Sequence, residues 1–183
     1  MSDYEIFKQI VLDGAYHNNL LLIYSWLDDA LDITSFVVSF FCHKVPQRKT
    51  IVLAPKTELV WVKKGLSNHL DYPLCVIDKK LLPEERAEQV KIASVILLTP
   101  QMLYNELLRG CIIPDDIALI VVFNPNFSPS KRPLKQLTKI VLQSQTSFRI
   151  FGLSNTINSV EELKEICKIL NITKLSITKQ KKN

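Results

Sequence analysis

The chain has 183 residues, 47% of them hydrophobic and 22% charged, with only four glycines, where average usage of about 7% would supply about 13. Its length and apolar content fit one domain with one core and exclude a disordered or fibrous chain. The isolated Gly14, Gly65, Gly110 and Gly152 exclude a phosphate cradle built from clustered glycines. The net charge of +5 is unevenly laid out: residues 1–32 hold six acids against one base, Lys8, while residues 117–160 hold no acid and carry Lys131, Arg132, Lys135, Lys139 and Arg149.

Apolar runs and amphipathic stretches alternate along the chain. Residues 19–26 (NLLLIYSW) read as a buried strand, and residues 31–44 have the length and spacing of a helix with a wide apolar face. Residues 49–55 form a β-branched strand stopped by Pro55, and residues 57–70 a helix with Thr57 as its N-cap. A strand at 73–78 precedes a helix at 82–92 that carries Pro83 in its first turn. Residues 94–100 are a strand ended by a proline, and residues 101–110 a helix closed by Gly110. The run IALIVVF (117–123) suits a central parallel strand covered on both faces. A basic helix at 132–144, starting at Pro133, a strand at 148–154, a helix at 159–170 and a short strand at 174–178 complete the pattern. The expectation is a single α/β domain over residues 1–178, a parallel sheet of about seven strands with helices on both faces, followed by a basic tail at 179–183.

Cys42, Cys75, Cys111 and Cys167 lie tens of residues apart and show no zinc-ligand spacing, so free thiols in a reducing compartment are expected. The polar, acidic start lacks the pattern of a targeting segment. The longest apolar runs reach about 10 residues, against about 20 for a membrane span. The sequence reads as soluble and intracellular, with no membrane partner.

In a parallel sheet ligands bind at the carboxyl ends of the strands, here residues 24–29, 54–57, 99–101, 123–127 and 154–156. Three of these ends resemble the first RecA-like lobe, a P-loop NTPase-type fold, of superfamily-2 helicases. LAPKTELV (53–60) is similar to motif Ia, LLTPQMLYNELLRG (97–110) to motif Ib with its helix, and FRIFGLSNT (148–156) to the strand leading into motif III. The LTPQ and FRI segments are particularly similar to the FANCM/Hef branch of DNA translocases, relatives of the XPF nucleases. Asp3, Tyr4 and Glu5 resemble that branch's N-terminal DYQ.

The departures from this pattern are as informative as the matches. The Walker A position, GxGKT in the family, falls on Leu27, Asp28, Asp29, Ala30 and Leu31. Such a loop needs glycines so that backbone N–H groups surround phosphates, a lysine for their charge and a hydroxyl for magnesium. All of these are replaced, and two carboxylates stand where a polyanion would lie. Like charges about 4 Å apart oppose each other by roughly 4 kcal/mol at an effective dielectric of 20.

The DExH position falls on Phe123, Asn124, Pro125 and Asn126, motif III keeps Ser154 and Thr156 around Asn155, and the adenine-contacting glutamine position is Glu5. The resemblance therefore implies no bound ATP, no cofactor and no catalytic residue. A chain ending at Asn183 also carries only the first of the family's two lobes, so no motor activity is expected from it alone. Trp26, with Leu27, Leu31 and Phe123, is expected to plug the vacated pocket.

Carried over by position, Lys56, Thr57, Thr99, Gln101 and Arg109 are candidates for contacting a nucleic-acid backbone, contacts that position without reading sequence. Capping and strand-ending roles account for the same threonines and prolines equally well. On the basic helix, Lys135 and Lys139 would be i,i+4 neighbours, with Lys131 and Arg132 one turn earlier, and that face suits a phosphate backbone, an acidic partner or plain solvent. Asp28, Asp29 and Asp32 are expected as helix-start carboxylates rather than metal ligands, and His17, His43 and His69 lack catalytic spacing. The expected function is a non-catalytic, helicase-like scaffold that binds protein partners in a nuclear DNA-repair or recombination complex. The alternatives are a DNA-binding accessory factor and half of an ATPase completed in trans.

Overall fold

The computed structural model describes residues 1–144 and 147–178; the basic tail lies outside the described residues. Seven parallel strands form one sheet: β1 (Leu20–Ile23), β2 (Lys49–Leu53), β3 (Leu74–Val76), β4 (Val95–Leu98), β5 (Ile117–Phe123), β6 (Arg149–Ser154) and β7 (Lys174–Ile177). Their order is β3-β4-β2-β5-β6-β1-β7. All seven residues of β5 are buried, as a strand covered on both faces requires. Its register against β2 shifts beside Lys49, where Ala118 is the extra residue of a bulge.

Three helices, α1 (Asp3–His17), α2 (Leu27–Lys44) and α3 (Leu59–Ser67), cover one face, and α4 (Pro83–Ile92), α5 (Pro100–Arg109), α6 (Ser128–Leu142) and α7 (Val160–Ile169) cover the other. Two apolar layers result. Leu20, Leu22, Val121, Phe123 and Phe151 belong to the first, and Leu21, Ile51, Ile120, Val122 and Ile150 to the second, the alternation a pleated strand imposes. No helix among the described residues is long and apolar enough to cross a membrane.

Several boundaries differ from the sequence reading for physical reasons. The α1 helix carries exposed Ile6 and Ile10 and so blurs its own apolar stripe, yet the Ser2 side chain accepts from Glu5 N at 3.2 Å as an N-cap. The α2 helix starts four residues earlier than its apolar run suggests. Thr57 is not an N-cap: it lies in the turn that precedes α3, and Glu58 occupies the cap position without a capping side chain. Pro133 does not start α6 but sits inside it, because Pro129 already fills the first turn, where a missing N–H has no helical partner to lose. Gly110 ends α5 in the left-handed conformation at φ 71°, as expected.

Candidate functional site

The carboxyl ends of β1, β5, β6 and β7 interlock. Tyr24 N donates to the Ser154 carbonyl (3.0 Å), Ser25 N to Thr178 Oγ1 (3.0 Å) and Asn124 N to the Leu153 carbonyl (2.8 Å). Asn126 Nδ2 donates to the Thr156 carbonyl (3.0 Å), and the buried Ser154 hydroxyl lies 3.3 Å from Asn126 Oδ1 and 3.2 Å from the Thr156 carbonyl. The strand ends that resemble motif III and the DExH position are thus tied together directly.

At the Walker A position the chain is helical. Leu27, Asp28, Asp29, Ala30 and Leu31 form the first turns of α2, and Ala30 N is already spent on the Trp26 carbonyl (3.1 Å). Asp28 and Asp29 sit in the first turn, where carboxylates are favoured by the helix dipole and stand in for an anion. Ala30 is fully buried, and Leu31 packs against α3 so closely that a Cβ on Gly65 would lie 2.5 Å from Leu31 Cδ1. Trp26 does not plug the pocket. It is 57% exposed and Leu27 39% exposed, because both stand at the solvent end of the helix, whereas Leu31 and Phe123 are buried.

Phe123, at the expected DExH position, is 1% exposed and meets the Trp61 ring edge-on at a centroid distance of 6.0 Å. Asn124 follows at φ 47°, a left-handed conformation that asparagine tolerates. Its Nδ2 lies 2.8 Å from both carboxylate oxygens of Glu58, while its buried Oδ1 has no partner. Pro125 is buried beside it. Burial pushes the Glu58 carboxyl above its ordinary value, partly offset by the Asn124 amide. Burial first, and the Glu58 charge second, push the Tyr24 phenol up to about 12. The residues do not fit a triphosphate with magnesium: the loop position is a wound helix with two acids, and Glu58 spends its oxygens on Asn124.

Because Glu58 is pushed up, the folded state loses stability as pH rises from the carboxyl's unfolded value through its folded one. Glu58→Gln is therefore expected to melt at or above the native temperature at pH 8, with the gap closing on acidification. Thermal denaturation at pH 8 and pH 5 checks this.

Around Glu5, where the resemblance expects the adenine-contacting residue, the side chains pair with one another while Glu5 itself stays exposed. The Tyr4 hydroxyl donates to Asp32 Oδ2 (2.9 Å), and Lys8 bridges Asp32 (3.0 Å) and Glu5 (3.8 Å) with its ammonium 4.9 Å from the Phe36 ring centre. Among the described residues no three of His, Cys, Asp and Glu gather as a metal site.

The nucleic-acid candidates divide. Lys56, Thr99 and Gln101 line an open groove of about 1180 Å³, with Thr57 exposed in the same turn as Lys56. Thr99 also caps α5, accepting from Met102 N at 3.2 Å, and Gln101 donates to Asn105 Oδ1. Arg109 stands at the opposite end of α5, paired with Glu106 at 3.1 Å, and does not join them. On α6, Lys131 (2.8 Å) and Lys135 (3.6 Å) share Glu165 of α7, which partly neutralises that face; Lys135 and Lys139 are exposed i,i+4 neighbours, and Arg132 is exposed as well. Sequence reasoning missed Glu58 and Trp61, whose convergence on Asn124 and Phe123 follows only from strand order, and Lys63, Lys79 and Lys80 around the groove.

No protein-family model matches the chain. It is 27% identical over 172 residues to the ATP-dependent DNA helicase MPH1 of Debaryomyces hansenii, 28% over 180 residues to that of Scheffersomyces stipitis, and 22% over 175 residues to the putative ATP-dependent DNA helicase fml2 of Schizosaccharomyces pombe. These alignments cover 91%, 96% and 93% of the chain but 16%, 17% and 22% of the relatives, so the chain spans less than a quarter of their length. The Pyrococcus furiosus Hef helicase domain superposes on 97% of the chain, using 39% of its own, with a TM-score of 0.83 at 21% identity. The DNA-bound helicase MrfA superposes with a TM-score of 0.72 at 12% identity, covering 96% of the chain and 27% of its own.

Proposed function

We propose that this chain, a homologue of FANCM-like superfamily-2 DNA helicases with the fold of a RecA-like lobe, is a non-catalytic helicase module that holds protein partners in a nuclear DNA-repair or recombination complex. The observation that supports this reading is the packing at the position where the resemblance expects the nucleotide. The phosphate loop is wound into α2 behind Asp28 and Asp29, Phe123 is packed on Trp61, and Asn124 holds Glu58. A scaffold needs the fold and its surfaces but not turnover.

The test is retention of partners. Tagged chain recovered from its own cells is expected to keep its partner proteins after nuclease digestion and after enzymatic removal of ATP. Loss on ATP removal would contradict the proposal.

A second reading, a DNA-binding accessory factor, is favoured by one observation: Lys56, Thr99 and Gln101 line the same groove. Under that reading retention disappears with nuclease, and direct binding to single-stranded DNA weakens steeply with salt as counterions are released.

A further inference from the structure

Strand β3 is a free edge of the sheet. Its ladder to β4 uses the Pro73 carbonyl, which accepts from Val95 N (3.0 Å), and Ile77 N, which donates to the Leu97 carbonyl (3.0 Å). Bonding residues alternate along a strand, so the N–H and C=O groups of Leu74 and Val76 face away from the sheet. Neither residue has a hydrogen-bond partner on that side among the described residues. An edge of this kind is a template for another chain unless something covers or charges it, and β3 itself carries no charge.

This edge lies in the groove of about 1180 Å³ described above. Val60 of α3 forms one wall and Ile92 of α4 the other, and they are 80% and 73% exposed. Lys56, Lys63, Lys79 and Lys80 surround the groove, against a single lining acid, Asp78. We infer that the groove takes an extended segment of a partner protein, apolar at alternate residues and acidic at its flanks, which pairs with β3 as an eighth strand. The segment's backbone would meet Leu74 and Val76, its apolar side chains the two walls, and its carboxylates the lysines. A second copy of the chain would bring its own lysines against these, and a nucleic acid would find outward peptide groups and the aliphatic Val60 and Ile92, with Phe127 the one aromatic among the described lining residues, where successive bases prefer several aromatic platforms. The inference rests on the scaffold reading for its partner being a protein.

The test uses the full chain and a displayed library of random peptides of about ten residues, the upper length of ordinary strands. Selected peptides are expected to alternate β-branched or aromatic residues with polar ones and to carry Asp or Glu at the flanks. Binding should slow hydrogen exchange at the Leu74 and Val76 amides. Val76→Pro removes an outward N–H without touching the ladder to β4, as edge strands tolerate, and should weaken binding about tenfold, as should Lys79→Glu with Lys80→Glu. If Val76→Pro fails to fold, the exchange pattern and the lysine variants decide. Selected peptides that leave those two amides unprotected, selection of no peptide at the groove, protection by a single-stranded oligonucleotide instead, or protection by self-association would each overturn the inference. Native partners retained equally by folded Val76→Pro would overturn it while leaving the scaffold reading standing, whereas partners lost on ATP removal would sink the scaffold reading alone.

Discussion

Replacing Glu106 with alanine is expected to remove about 3–5 kcal/mol of folding stability, the cost of leaving a buried charge without its partner. Glu106 is 2% exposed, and its Oε1 receives Arg86 Nη1 at 2.8 Å and Arg109 Nη1 at 3.1 Å. Arg109 reaches solvent and can rehydrate. Arg86 is 9% exposed, its Nε already lacks a partner, and it would be left as an uncompensated cation between α4 and α5. The pair itself adds little net stability over an apolar replacement, since both ions were desolvated to make it. The double variant Arg86→Met with Glu106→Leu should therefore recover most of the loss. Urea denaturation of the single and double variants measures both terms; a Glu106→Ala chain within about 1 kcal/mol of the native one would show that the triad is solvated in solution.

The second large effect is at Phe123. Phe123→Ala should cost about 3–5 kcal/mol, because the ring is fully enclosed and its removal leaves a cavity against Trp61. Phe123→Asp places a carboxylate at the position where the resemblance expects the DExH motif and should be at least as damaging near neutral pH. It places a second carboxylate near Glu58, whose carboxyl burial already pushes upward. Neither variant should gain ATP hydrolysis, since the Walker A position stays helical behind Asp28 and Asp29. Chemical denaturation with a parallel phosphate-release assay checks both statements.

These two sites also show what the sequence could and could not reveal. Most of the seven strands were legible because they are short apolar runs bounded by polar or proline punctuation, and burial between helices leaves few alternatives for such runs; β7, an edge strand that alternates Lys174 and Ser176 with exposed Leu175 and Ile177, is not such a run. The strand ends expected to carry a site were legible because the apolar runs of a parallel sheet all stop at one edge. Side-chain pairing across that edge was not. Glu58 follows β2 and Asn124 follows β5, and only their adjacency in the sheet brings the amide onto the carboxylate. Trp26 reads as a plug because tryptophan is large and apolar, yet its place before the first turn of α2 leaves it in solvent. The basic run of α6 reads as an open charged face, but Glu165 lies a helix away in space and 34 residues from Lys131 in the chain. The β3 edge carries no sequence signature, since an edge is defined by what is missing beside it.

The proposed role requires that the nucleotide position expected from the resemblance be occupied by the chain's own side chains. Isothermal titration of the full chain with ATP and magnesium tests it most directly. The filled site predicts no saturable heat up to millimolar nucleotide, in the presence or absence of single-stranded DNA. Saturable binding with a micromolar Kd, abolished by Asn124→Ala or by a bulky residue at Gly65, would contradict it.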